Sequence, residues 1–278
     1  MAILLALLTS VAFGTSDVAG AVATRRSTAT AVAIGMLLAG GALLVPAVVL
    51  LPGEPSVRAL GTGALAGVAG SSSLLVYLRA LALGPIGVIS PIAAVVGVSV
   101  PVTVGVVVAG DVLSPGQQAG IVLGIVAVVA VAYVPGTSIR SAGSRGPLAA
   151  LLAGVGFGLF IVALDASPAD SGLWPVVGAR ISGIVPVVVF AVSTGRSMVL
   201  TRSAVPLAIV AGVLDVIANI TLLLATRGGL LSLVALLSSL YPVVALLTAR
   251  IFLHERLLPS QLAGVVAAMA AVGLLVAS

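Results

Sequence analysis

Four ionisable side chains stand out within long apolar stretches, where charge is hardest to keep: Asp17, Arg79, Arg180 and Asp215. A charged group at mid-bilayer costs about 2.5 to 3.5 kcal/mol on insertion scales, so such residues face a cavity or a partner. Asp215 has the sharpest pattern. Asn219 follows four positions later, and a helix stacks i and i+4 on one face, so carboxylate and amide point the same way. Arg180 is a cation able to neutralise Asp215, and the trio reads either as a buried ion pair or as the polar lining of a binding cavity. Asp17, in Gly14-Thr15-Ser16-Asp17, is a second candidate for a lining or proton site, although from its place in the stretch it can also reach headgroup water. Arg79 lies near the end of its stretch, where a long side chain snorkels.

Prolines and hydroxyls supply the next clues. Pro91 and Pro101 lie in one apolar stretch and Pro242 in another. A helical proline removes a hydrogen bond and frees carbonyls, which is tolerated at membrane depth where backbone faces protein or water, so both stretches are expected to be broken helices. Ser90, Ser99, Ser238, Ser239 and Tyr241 surround these prolines, and Tyr77 follows Ser71 to Ser73. Their hydroxyls suit a polar ligand, while serine in membrane helices also serves as a packing residue.

The elements that carry these residues are set by composition. Of 278 residues, 61% are apolar and 7% charged, which places the chain in lipid. A bilayer core of roughly 30 Å takes about 20 apolar residues per crossing. Ten stretches qualify: 2 to 23, 28 to 51, 59 to 83, 86 to 109, 116 to 134, 147 to 166, 173 to 194, 204 to 226, 229 to 252 and 259 to 277. The longest polar segment, PGTSIRSAGSRG at 135 to 146, joins two five-helix halves, 1 to 134 and 147 to 278. Without cysteine, thiol chemistry is excluded, and one histidine builds no histidine cluster. The net charge of +5 comes from arginines between apolar segments, which fits phospholipid headgroups rather than nucleic acid.

The halves repeat at one offset. Pro259, Gln261, Gly264 and Gly228 stand 144 positions after Pro115, Gln117, Gly120 and Gly84, and Val155-Gly156-Phe157-Gly158 falls over Val11-Ala12-Phe13-Gly14. With five crossings per half, equivalent helices run in opposite directions, an inverted repeat. The same offset pairs Glu255 with Asp111, each at the turn before the last helix of its half. Both are expected to favour helix N-termini electrostatically, as structural hinges or as gating residues alongside Pro101 and Pro242. Gly116, Gly120 and Gly124, and Gly154 with Gly158, form GxxxG patterns that fit close helix packing.

Glu255 with Pro259, Gln261 and Gly264, preceded by Tyr241-Pro242-Val243-Val244, is similar to the signature of the drug/metabolite transporter superfamily, in its EamA-like ten-helix branch. Ala179-Arg180 matches an Ala-Arg of that family in the second half, whereas Met36 takes the equivalent place in the first; Phe13 stands where the family often has Trp. The resemblance implies transport of small metabolites, with the first, third, fourth, sixth, eighth and ninth helices around the cavity, and both termini inside. The arginine count points the other way. Loops after helices one, five, seven and nine carry eight arginines, which by the positive-inside rule puts both termini outside.

The expectation is therefore an all-α membrane protein of ten helices in two inverted five-helix repeats. It would be a secondary transporter, exporter or exchanger, of a small polar metabolite such as an amino acid, working by alternating access in a bacterial-type plasma membrane. Asp215, Asn219, Arg180, Asp17, Tyr77, Ser238, Tyr241 and Ser90 are the candidate substrate-binding residues, with protons as a possible coupling ion. No cofactor, metal, catalytic residue or nucleic-acid partner is expected, and the chain would act as a monomer or homodimer. The alternatives are a lipid or lipid-linked carrier translocase and a proton-coupled drug exporter.

Overall fold

The computed structural model describes residues 1–84, 86–133, 145–252 and 258–277. They form eleven helices: α1 (Ala2–Thr24), α2 (Ala29–Leu50), α3 (Val57–Leu83), α4 (Ile86–Val107), α5 (Pro115–Ala132), α6 (Arg145–Asp165), α7 (Trp174–Thr194), α8 (Val205–Gly228), α9 (Leu231–Ser238), α10 (Tyr241–Phe252) and α11 (Pro259–Ala277). With α9 and α10 taken as one segment, Leu231–Phe252, ten spans are long and apolar enough to cross a membrane. The chain is a multi-pass integral membrane protein. The joining segment at 135 to 146 lies mostly outside the described residues, and α6 already begins at Arg145.

Local chemistry sets the helix ends. The Thr28, Ser56 and Ser114 hydroxyls accept from the backbone N–H groups of Ala31, Ala59 and Gln117, and Gln117 returns a bond from its side chain to the Ser114 N–H. That reciprocal box satisfies two donors that a helix start leaves open. Its counterpart recurs 144 residues on, where the Leu258 N–H donates to Gln261 Oε1 at 2.9 Å, against 3.0 Å for Ser114 to Gln117. At the end of α7, Gly195 adopts a left-handed conformation, φ 64°, which glycine tolerates best.

The prolines act differently from one another. α4 runs unbroken through Pro91 and Pro101, which corrects the expectation of a broken fourth helix. Each proline removes one ladder bond, and α4 is braced along its length by α6: a Cβ at Gly154 would meet Ala93 O at 2.6 Å, and one at Gly158 would meet Val100 Cβ at 2.6 Å. The ninth span does break. Ser239 and Leu240 separate α9 from α10, and Pro242 occupies the first turn of the second piece, where a missing N–H is harmless. Leu231 to Leu240 are all buried, so the break lies in the protein interior.

Packing crosses between the sequence halves. α3 packs on α6 and α7, and α4 on α6; in the other bundle α8 packs on α1 and α2, and α1 on α9 and α10, with α9 also packed on α4 so that it joins the two. The same contacts recur at the 144-residue offset. A Cβ at Gly14 would sit 2.6 Å from Tyr241 O and 2.7 Å from Val244 Cβ, while one at Gly158 meets the equivalent Gly97 O at 3.1 Å and Val100 Cβ at 2.6 Å. α5 and α11 clasp each other likewise. Gly120 faces Leu275 and Ala271 O, and Gly264 faces the equivalent Val131 and Ala127 O. These glycines exist for close approach, since any side chain would force the backbones apart.

Loops tie the two ends. The α1–α2 turn meets the α7–α8 loop through Thr28 Oγ1 to Ser197 O (2.7 Å) and Thr201 Oγ1 to Arg26 O (2.8 Å). At the opposite end the α2–α3 loop meets the α6–α7 loop through Trp174 Nε1 to Gly53 O (3.1 Å) and Glu54 N to Asp170 O (3.0 Å).

Candidate functional site

Arg180 on α7 and Asp215 on α8 belong to different bundles and join across the seam. Arg180 Nη2 lies 2.8 Å from Asp215 Oδ2, and Asn219 Nδ2 donates to the same oxygen at 3.3 Å and to the Asp215 carbonyl at 2.7 Å. Arg180 is buried. Room for it comes from Gly40 and Gly41 of α2: a Cβ at Gly40 would stand 3.2 Å from the guanidinium carbon, and one at Gly41 would stand 3.8 Å from Arg180 Cγ. The ion pair is thus enclosed by α2, α7 and α8, with only the Asp215 side chain, 26% exposed, reaching open space.

Asp17 completes the site from α1. Leu4, Leu8 and Val11 form the exposed apolar row of that helix, at 57%, 46% and 50% exposure. Nine residues separate Leu8 from Asp17, and at ~100° per residue this places Asp17 roughly half a turn away from the row. Asp17 is nevertheless accessible. Asp17 is thus an accessible carboxylate on the face of α1 opposite its exposed apolar row. Among the described residues it makes no hydrogen bond or ion pair; Asp215, Tyr77 and Tyr241 are near enough to feel its charge.

The two tyrosines near Asp17 each carry a second ring, in a chain that has only five Phe and three Tyr. Phe13 stacks edge-on to Tyr241 with centroids 6.3 Å apart, and Phe157 stacks edge-on to Tyr77 at 6.2 Å. Ser90 of α4 approaches the Tyr77 hydroxyl. At the α9–α10 break the buried Ser238 hydroxyl has no hydrogen-bond partner among the described residues. Pro242 has no N–H and Val243 donates to the Leu240 carbonyl, so the Ser238 and Ser239 carbonyls lack their usual helical donors.

Residues 144–277 match the model of the EamA-like transporter family. The second half of the chain belongs to that family. That half is similar to membrane transporters of the drug/metabolite superfamily. A solved structure described only as a crystal structure of a protein shares the fold across both halves, with a TM-score of 0.81, 18% identity, and coverage of 98% of this chain and 95% of that one. No curated protein matches the chain.

Most of the expected binding residues meet at the seam between the bundles. Asp215, Asn219 and Arg180 are in contact, Asp17 is near enough to Asp215, Tyr77 and Tyr241 for their charges to interact, Ser90 meets Tyr77, and Ser238 lies one turn before Tyr241. Asp111 lies elsewhere. Its Oδ2 accepts from the Ser232 backbone N–H (2.9 Å) and hydroxyl (2.6 Å), so it caps α9 rather than the α5 that follows it. Pro101 is buried in α4 away from the break, and Glu255 with His254 and Arg256 lies outside the described residues. Phe13 and Phe157 were absent from the expected set. Their equivalence at the 144-residue offset was the signal for them, because equivalent helices that line a seam bring equivalent side chains to it.

Proposed function

We propose that this EamA-like protein is a secondary transporter of a small polar metabolite, exporting or exchanging it by alternating access in a bacterial-type plasma membrane. The observation that carries this reading is Asp17: an accessible carboxylate turned away from lipid, at the seam of two bundles, beside an enclosed ion pair. Buried ionisable groups in membrane spans mark substrate and ion pathways because they are too costly to keep otherwise. The two halves, 1 to 134 and 147 to 278, form an inverted repeat in this reading, supported by glycine contacts that recur at one offset.

The bundle made of α1, α2, α8, α9 and α10 rocks against the bundle made of α3, α4, α6 and α7. Arg180–Asp215 bridges them and sets the resting geometry, while Asp17, Tyr77 and Tyr241 hold cargo from both sides. Asp17 is the proton-exchanging group, because Asp215 is committed to a permanent cation and Asp17 is not. Purified protein in proteoliposomes loaded with a panel of small polar metabolites, organic amines and amino acids both included, tests this. Exchange should depend on Asp17 and accelerate with a pH gradient; flux unchanged by both the gradient and Asp17→Asn ends the proton role, and no flux of any small metabolite ends the transporter reading.

A further inference from the structure

We propose that the cargo is an organic amine recognised through its ammonium group at Asp17, and that a free carboxylate on the cargo is rejected. This rests on the transporter reading and narrows its substrate class. A zwitterion such as an amino acid needs an anion for its ammonium and a cation for its carboxylate. The site offers only the first. Arg180, the one arginine at the seam among the described residues, is buried, held by Asp215 at 2.8 Å and walled by Gly40 and Gly41. Arg79 is two residues beyond Tyr77, on the other side of α3, and is exposed. With Asp17 and Asp215 against Arg180, the local balance is one net negative charge.

The neutral groups have the same sign of preference. Tyr77 and Tyr241 lie near enough to Asp17 to feel its charge, each with a phenylalanine ring edge-on to it, and a ring face attracts a cation within about 6 Å. The Ser238 and Ser239 carbonyls, freed at the α9–α10 break, are acceptors only, while the Ser238 hydroxyl, buried and unpartnered among the described residues, can accept from an ammonium or donate. An ammonium group donates up to three hydrogen bonds and accepts none. A carboxylate brought to the same place would meet two carboxylates and several lone pairs, which is discrimination by repulsion.

Matched pairs that differ by one carboxylate test the proposal: tyramine against tyrosine, cadaverine against lysine, agmatine against arginine. Each is scored by the thermal shift of purified full-length protein and by uptake of the labelled compound into proteoliposomes. The expected result is that at least one amine stabilises the protein and crosses, with at least tenfold tighter apparent binding than its amino acid. Asp17→Asn should abolish the shift and Asp17→Glu retain it, both with wild-type melting in the absence of amine. An amino acid that binds as well as its amine, or better, overturns the amine inference and leaves the transporter reading standing. Amine binding that survives Asp17→Asn overturns the placement. Protein that neither binds nor moves any member of the panel removes the inference while transport of other cargo still tests the reading beneath it.

Discussion

Arg180 and Asp215 meet at 2.8 Å across the seam between two bundles, so the strongest polar bond of the site is also a bond between two bodies. Replacing the arginine alone, Arg180→Met, leaves a carboxylate without its cation. Breaking a buried pair costs about 3 to 5 kcal/mol, and the 26% exposure of Asp215 places this case near 3. The double variant Arg180→Met with Asp215→Met should recover most of that stability. Thermal unfolding of the three proteins in detergent reads the difference; a double variant no more stable than the single one would show that the pair does not act as a unit.

Glycine positions separate contact from propensity. Gly14→Ala puts a methyl 2.6 Å from Tyr241 O and 2.7 Å from Ala245 N, both backbone atoms that cannot step aside, so expression of folded protein should collapse. Gly273→Ala meets nothing within 4 Å and should be neutral or slightly stabilising, as alanine favours helix over glycine by about 1 kcal/mol. Equal yields for the two variants in size-exclusion profiles would contradict the packing.

Pro242→Ala restores an N–H at the α9–α10 break and offers the Ser238 carbonyl a helical donor. The expected outcome is a protein that folds and binds cargo yet transports more slowly, because the break is the part of the ninth span able to bend. Binding and flux measured on one preparation make the distinction; loss of binding in step with flux would assign the proline to the binding pocket instead.

Asp111→Asn weakens a charge-assisted cap. The Ser232 N–H and hydroxyl both donate to Asp111 Oδ2, and loss of a helix cap costs about 0.5 to 2 kcal/mol. Hydrogen exchange should quicken at the first turn of α9 while α8 is unaffected. Uniform acceleration across the bundle would point to a global role.

The ten spans were legible because a lipid-embedded helix must be apolar along its whole length, and that signal survives in any single sequence. Asp215, Asn219 and Arg180 were legible for the complementary reason, since a charge in such a stretch needs a partner. Sequence could not say that Arg180 is taken up by the ion pair, because that depends on Gly40 and Gly41, two residues of another helix. Nor could it separate the prolines. Pro101 and Pro242 look alike in the chain, and only the structure shows that α4 stays whole while the ninth span parts. Asp111 was expected to serve the start of the neighbouring α5, whereas its carboxylate meets Ser232 at the start of α9, 121 residues away.

Because α3 and α4 find their main neighbours in α6 and α7, and α1 finds its own in α8 to α10, the order of synthesis and the order of packing disagree. A ribosome delivers the first five spans before their mates exist. The notch at Gly14 stays filled by acyl chains until Tyr241 and Val244 arrive, and the ninth span must slide between α1 and α4, which are already inserted, while α11 joins from outside against α5. Premature truncation near residue 145 should therefore yield no stable half-protein but an orphan that membrane proteases recognise, and co-expressed fragments should rescue each other only when both are present together.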